Sequence, residues 1–183
     1  MSFPTQPAFI VSTAGSWEPS RAHPAMAWLE KYTKAFENHE VNEANFSDWN
    51  TDDLAYQKAN GEVTTGGLAA FKASLEVYRP FAAYLHEPKF GIVWEVENGY
   101  EMIGHATLFA DFVAPGGEKK AEDFSGRKWD VGLPGMFQFT IVKVPGAPTD
   151  ELKLSRGAMF SDSGPVMVEM MKRGMVQANQ LLA

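Results

Sequence analysis

Apolar residues recur at helical spacing in two stretches of the first half of the chain. In the first stretch they fall on one face, and charged residues, Glu37 among them, occupy the opposite face. Pro24 stands where the first turn would begin, and proline costs no hydrogen bond there. The pattern predicts a helix from Pro24 to about Val41. A second helix is predicted over Gly67–Tyr78, and Pro80 should kink or stop it.

The pattern then changes to long strands separated by Pro, Gly and Asn residues. Four strands are predicted, at Lys89–Glu97, Tyr100–Val113, Gly135–Val144 and Leu152–Ser161. The pair Asn98-Gly99 is a strong signal for a tight hairpin between the first two strands. A short strand at Asp52–Gln57 precedes the second helix, and the polar run Glu118–Asp130 predicts a long, solvated loop.

Helices first and strands afterwards predict an α+β fold, with one helical layer packed on one antiparallel sheet. We expect the sheet to curve over the helices and to leave a hollow between the two layers, where any chemistry should take place. The chain divides into an N-terminal arm (residues 1–20), one domain (21–165) and a helical tail (166–183).

Composition narrows the classes of function. The 183 residues carry a net charge of −7, which disfavours nucleic acid and anionic membranes, since both are bound mainly through Lys and Arg. No apolar run reaches the ~20 residues that cross a bilayer, and the first residues lack the basic region of a secretory signal. The chain has no cysteine, which excludes disulfides and thiolate chemistry. We expect a soluble, cytoplasmic protein.

Motifs for metals and cofactors are missing from the sequence. The four histidines never stand at His-x-His or His-x-x-x-His spacing, so a local metal motif is absent. The pairs Gly66-Gly67 and Gly116-Gly117 lack the rest of any dinucleotide or phosphate-loop pattern. We therefore predict a function without metal or cofactor.

His105 is the first candidate for chemistry. It alternates with a wholly apolar face along its predicted strand and shares its own face with Thr107, Phe109 and Asp111. A mixed face of this kind suits a polar pocket wall, where an imidazole can act as base or acid. The alternative is that this face is the outer one, turned to solvent or to a partner, and the pattern does not decide between the two.

Three further residues are candidates for proton transfer or for holding a substrate oxygen. His86 precedes a predicted strand, a position that can point into a hollow or into solvent. Asp48 can orient a histidine, although Asp in the segment Ser-Asp-Trp-Asn is also typical of a turn or helix cap. Tyr56 can donate a hydrogen bond to a carbonyl or enolate oxygen, or it can simply pack on the sheet.

This order of elements resembles the NTF2-like superfamily, in particular its SnoaL-like small proteins. The resemblance rests on the helix that opens at Pro24, the Asp48-Trp49 connection, the Gly67–Tyr78 helix and the Asn98-Gly99 hairpin. It covers roughly residues 23–161 and implies a cone-shaped α+β barrel, in which a bent antiparallel sheet packs on N-terminal helices. The superfamily includes dehydratases, isomerases and polyketide cyclases of secondary metabolism, as well as non-catalytic binding and dimerisation modules.

A closer resemblance, to scytalone dehydratase-like members, implies roles for the candidates. Asp48 and Tyr56 are the counterparts of a carboxylate and a tyrosine from the front of the chain, and His86 and His105 are those of two histidines from the strands. A C-terminal segment closes the pocket in that family, and the Met-rich tail is its counterpart here. Side chains predicted to contact the ligand are Tyr32, Trp49, Phe109 and Met170.

The predicted function is acid/base catalysis without a cofactor. The reaction would be a dehydration, isomerisation or cyclisation of a small apolar or aromatic metabolite, with His105 and His86 carrying protons. The alternative is a non-catalytic ligand-binding or dimerisation module of the same fold. A homodimer is expected in either case, since the sheet faces of this superfamily commonly pair.

Overall fold

A computed structural model describes residues 4–177, and in it the helices that form the main layer precede the long strands. The α-helices of this part of the chain are Pro24–Glu37 (α1), Phe46–Trp49 (α2), Leu68–Tyr78 (α3) and Gly164–Lys172 (α4). The strands are Phe9–Ser12 (β1), Asn50–Gln57 (β2), Val63–Thr64 (β3), Phe81–Val96 (β4), Gly99–Phe112 (β5), Ala121–Glu122 (β6), Lys128–Trp129 (β7), Val131–Lys143 (β8) and Leu152–Ser161 (β9).

Within the described residues, seven strands form one curved, unclosed sheet in the order β1-β4-β5-β8-β9-β2-β3. Neighbouring strands are antiparallel except for β2 and β9, which run parallel. The core between sheet and helices contains Trp28 of α1 and Phe71 of α3, both completely buried. The predicted α+β architecture, with helices packed on a curved and mainly antiparallel sheet, is confirmed.

The ends of the two long helices follow from local chemistry. The side chain of His23 caps α1, since its Nδ1 accepts the N–H of Ala25 at 3.3 Å. The helix ends at Glu37, before the predicted end, and His39 beyond it has left-handed backbone (φ 59°) that a helix cannot contain. α3 ends at Tyr78, two residues before Pro80. No helix within residues 4–177 is long and apolar enough to cross a membrane.

Two strands begin earlier than the sequence predicts. β4 starts at Phe81 and not at Lys89, and it pairs with β5 along almost its whole length. Pro88 is accommodated because the register shifts between Pro88 and Phe90, so the missing N–H does not end the strand. The consequence is that His86 belongs to the middle of a strand. β8 likewise begins at Val131 and continues the pairing with β5.

The N-terminal arm adds an edge strand to the sheet. β1 pairs antiparallel with β4, and Thr13 beyond it donates its hydroxyl to the carbonyl of Pro88 at 2.5 Å. The arm also contributes Thr13 and Trp17 to the space between the layers. Residues 1–3 of the predicted arm lie outside the described part.

The run Glu118–Asp130 is exposed at most positions, as its polar sequence predicts, but it also has structure that the sequence does not predict. It contains the hairpin formed by β6 and β7, in which Trp129 is buried and donates its indole N–H to Asp123 at 2.8 Å. The hairpin covers one end of the sheet's outer face, where the rings of Trp129 and Phe109 lie 6.5 Å apart. A segment that is mostly polar is therefore packed on the sheet through one buried aromatic residue.

A buried arginine attaches the C-terminal helix to the sheet. Arg173 follows α4 and donates from Nη1 to Asp130 at 2.8 Å and to the carbonyl of Ala114 at 2.9 Å, and from Nε to Glu169 at 3.1 Å. The side chains of Arg173 and Asp130 are only 4% and 7% exposed. Residues 178–183 of the predicted helical tail lie outside the described part.

Arg173→Met should strongly destabilise the protein. The substitution keeps much of the apolar stem but leaves Asp130 buried without its cation, and breaking such a pair typically costs about 3 kcal/mol or more. Lys172→Met is the matched control, because Lys172 is 65% exposed and makes only a long contact to Glu169. Urea unfolding of the two variants measures the difference. Equal midpoints would show that the buried ion pair does not hold the helix in place.

Candidate active site

A cavity of about 150 Å³ lies between the helices and the inner face of the sheet. α1 and α3 form one wall, and the strands β2, β4, β5, β8 and β9 form the other. The lining is mainly apolar and aromatic, and among the described residues no Asp, Glu, Lys or Arg side chain contributes to it. Because an unpaired charge is costly in such a space, the cavity suits a small neutral ligand.

His86 presents its imidazole to this cavity and is held from behind by Glu37. The Nδ1 atom lies 3.1 Å from Oε1 of Glu37, which also accepts the backbone N–H of His86. The exposed fractions of the two side chains are 14% and 10%. Glu37 is the last residue of α1, so the contact joins the end of the helix to the middle of β4.

The partner on Nδ1 determines which nitrogen of His86 carries the proton. A carboxylate can only accept, so in the neutral imidazole Nδ1 must be the donor and Nε2 the free acceptor. Nε2 lies 2.9 Å from the hydroxyl of Tyr78, which therefore donates to it. The three side chains form a hydrogen-bonded series from carboxylate to imidazole to phenol, and its phenol end lines the cavity.

Tyrosine hydroxyls are the main polar groups at the cavity wall. Burial raises the pKa of Tyr56 to about 12, and it raises the pKa values of Tyr32 and Tyr78 as well. These phenols are therefore protonated, and can donate, at neutral pH. Tyr32 donates to Asn50 at 3.3 Å. The Tyr56 hydroxyl has no hydrogen-bond partner among the residues described, which leaves it available to a ligand.

Of the two faces that the sequence left open for His105, the structure gives it the one that does not line the cavity. Side chains alternate along β5, and it is Ala106 and Leu108 that face the cavity. His105 lies on the outer face, in a shallow depression beside Met136 and Phe160. The apolar face of this strand is the inner one, because it must cover the helices.

Asp48 and three of the predicted ligand contacts also lie away from the cavity. Asp48 is in α2, where its carbonyl accepts the hydroxyl of Thr149, and its side chain is not part of the lining. Trp49 packs on Trp28 and Tyr32 outside the lining. Phe109 is on the outer face under the β6–β7 hairpin, and Met170 packs on the core from α4.

Three predicted residues do line the cavity: Tyr32, Tyr56 and His86. Their roles in binding or catalysis stay predictions. The two residues that sequence reasoning missed are Glu37 and Tyr78, which it assigned to the polar face of one helix and the apolar stripe of the other. The available signal was proximity along the chain, since Tyr78 and His86 stand on either side of the turn at Pro80.

Side chains that could bind a metal are not clustered in the part of the chain that the structure describes. Within residues 4–177, no group of three His, Asp or Glu side chains is placed to hold a metal ion. The polar atoms that converge on the cavity are hydroxyls and one imidazole, and they suit hydrogen bonding and proton transfer to an organic molecule.

No protein-family model and no curated protein matches the sequence. Solved structures do resemble it. Kfla4162 from Kribbella flavida is 17% identical, with 84% of this chain and 99% of that one aligned at a TM-score of 0.59. A candidate scytalone dehydratase from Novosphingobium aromaticivorans is 14% identical, with 80% of this chain and 87% of that one aligned at a TM-score of 0.56.

The hexachlorocyclohexane dehydrochlorinase LinA-type3 from Novosphingobium barchaimii is also similar. It is 12% identical, with 79% of this chain and 88% of that one aligned at a TM-score of 0.54. Identities this low show a shared architecture and carry no function with them. Together with the element order and the curved sheet, they show that the chain shares the α+β fold of these structures, in which a bent, mainly antiparallel sheet packs on helices.

Proposed function

We propose that the protein is a cofactor-independent enzyme that transfers protons on a small apolar or aromatic molecule, as a dehydratase, isomerase or cyclase does. The observation that carries the proposal is the buried pair of Glu37 and His86 at the wall of an otherwise neutral cavity. A carboxylate behind an imidazole fixes its tautomer and stabilises the imidazolium that forms when it takes a proton. We propose a cytoplasmic location, with which a chain that has no cysteine, and so no disulfide to form, agrees.

The dimensions and chemistry of the cavity indicate the kind of ligand. An apolar cavity of comparable volume in another protein binds benzene, so about 150 Å³ accommodates a molecule of roughly one ring. The free hydroxyl of Tyr56 can donate to a carbonyl oxygen and stabilise negative charge as a neighbouring C–H bond loses its proton. A neutral ring with one oxygen acceptor is the substrate class that we propose.

The names of two similar structures agree with this class of reaction. A scytalone dehydratase removes water and a dehydrochlorinase removes hydrogen chloride, and both steps begin with or include loss of a proton from carbon. At 14% and 12% identity these names support the proposal only through the shared fold. The alternative, a binding protein without turnover, uses the same cavity but has no need of a buried Glu–His pair.

Loss of the imidazole at position 86 should abolish proton transfer in the cavity. A suitable probe is 5-nitrobenzisoxazole, a flat aromatic molecule that a base converts to a coloured phenolate by removing one C–H proton. His86→Gln should slow this elimination by about 10²-fold or more, because a positioned base contributes 10²–10⁴ in rate. His105→Gln is the matched control and should leave the rate unchanged, since that imidazole lies on the outer face.

Two outcomes would contradict the proposal. A wild-type protein no faster than His86→Gln would show that the pair is not a working base. If the probe then still binds and protects the protein against unfolding, a ligand-binding module remains. A loss of rate in His105→Gln equal to that in His86→Gln would mean that the elimination occurs outside the cavity.

We further propose that the outer face of the sheet forms a homodimer. Phe90, His105, Met136 and Phe160 are paired across four neighbouring strands and form one row. The apolar members of the row are 37%, 41% and 44% exposed, respectively. The β6–β7 hairpin covers only one end of this face, so the row remains open to a second copy of the chain.

Met136→Glu should weaken the dimer at least about 10-fold, because it places an unpaired charge in the centre of the apolar row. Sedimentation of the wild type and the variant at micromolar concentration measures this change. The control is Val168→Glu on α4, where an apolar side chain is 52% exposed but does not belong to any of the four strands of the row. A monomeric wild-type protein at these concentrations would refute the dimer and would leave the proposed chemistry untouched.

A further inference from the structure

We infer that Tyr78, and not His86, is the group that takes the proton from the substrate, and that His86 acts through it. The inference rests on the proposed function and assigns the roles within that site. It changes the identity of the atom that meets the substrate: the phenol oxygen of Tyr78 instead of an imidazole nitrogen.

Both ring nitrogens of His86 are already occupied. Nδ1 is directed to Glu37 at 3.1 Å, and Nε2 is covered by the Tyr78 hydroxyl at 2.9 Å. The ring cannot turn without losing both of these hydrogen bonds, and the backbone N–H of His86 also donates to the same Glu37 oxygen. A substrate that approaches from the cavity therefore meets the phenol before it meets Nε2.

Tyr78 is also held firmly in front of the imidazole. Its ring lies 5.0 Å from that of Phe36, 4.8 Å from that of Tyr84 and 5.5 Å from that of His86. Aromatic contacts at these distances stabilise a fixed arrangement. Displacing the phenol to expose Nε2 would break this packing and the hydrogen bond between Tyr78 and His86.

The proton passes from the substrate through Tyr78 to His86, and the phenol of Tyr78 does not become an ion in between. A C–H bond of the substrate breaks, its electron pair stays on the substrate, and its proton passes to the oxygen of Tyr78. In the same step the original phenol proton passes to Nε2 of His86, which gives an imidazolium beside the Glu37 carboxylate. The electron pair forms an enolate whose oxygen can accept from Tyr56, and return of the proton to another atom completes an isomerisation.

For a dehydration the proton balance is also complete. The electron pair of the broken C–H bond forms the new double bond while hydroxide leaves, and the imidazolium returns a proton through Tyr78 to make water. Burial raises the pKa of Tyr78 well above its usual value. A free tyrosinate is therefore disfavoured, which is why the phenol must gain and lose protons in one step.

Tyr78→Phe tests the inference, because it keeps the packed ring and removes only the hydroxyl. In the elimination of 5-nitrobenzisoxazole we expect the variant to be slower than wild type by about 10²-fold. Tyr84→Phe is the matched control and should stay within about threefold of wild type. Tyr84 packs against the same rings, but its hydroxyl donates to the backbone carbonyl of Phe36 at 3.0 Å and not to His86.

The results separate this inference from the proposed function. If Tyr78→Phe matches or exceeds the wild-type rate while His86→Gln is slow, His86 acts directly and the inference is wrong, although the enzyme proposal stands. If His86→Gln is as fast as wild type, both fail. Urea unfolding of each variant shows whether a slower rate is caused by unfolding. The rate of a destabilised variant is then measured again under conditions in which that variant is folded.

A second measurement does not depend on removing the hydroxyl. Replacing Tyr78 by 3-fluorotyrosine makes the phenol more acidic and keeps its ring and its hydrogen bond. We expect the rate of the elimination and its dependence on pH to change with phenol acidity if the proton passes through Tyr78. An unchanged rate and pH profile, with 3-fluorotyrosine at position 84 as the control, would overturn the inference even if Tyr78→Phe were slow.

Discussion

The contact between Glu37 and His86 joins the helical layer to the sheet, and the candidate active site depends on it. A carboxylate with so little exposure to water must find donors within the protein, because a buried charge without partners costs several kcal/mol. Glu37 finds two on one residue, the backbone and ring N–H groups of His86. The end of α1 is thereby tied to the middle of β4. The same contact orients the imidazole toward the cavity, so the requirement of stability and that of chemistry coincide.

The carboxylate of Glu37 does not line the cavity; it contacts His86, which does. The groups that face the ligand are phenols whose raised pKa values keep them protonated, and an imidazole whose Nε2 is hydrogen-bonded to a phenol. In a space of low polarity, hydrogen bonds and charge interactions are stronger than in water. A carboxylate at Glu37 can therefore influence proton transfer at the wall without itself repelling an apolar ligand.

The two faces of the sheet have different roles because successive side chains of each strand point to opposite faces. Along β5 every second side chain covers the helices and the cavity, and those between form the outer face. The outer face divides again: the β6–β7 hairpin, through Trp129, covers the end near Phe109, and the row with Met136 and Phe160 stays uncovered. His105 is at an odd-numbered position of β5 and so lies on the outer face. Only the thickness of the sheet separates it from the cavity.

Sequence periodicity determined the types and order of the main helices and strands and the α+β class, because helical and strand spacing are local properties of the chain. It did not reveal the short strands β1, β6 and β7. It also determined that His105 and Leu108 face opposite sides of one strand. It did not determine which side is inner, because both sides carry apolar residues and the choice is made only when the helices dock. The same holds for Glu37: its place on a polar helix face was readable, but its contact with a strand 49 positions away was not. Tertiary packing decided that contact, since a buried carboxylate takes the donors that folding brings to it.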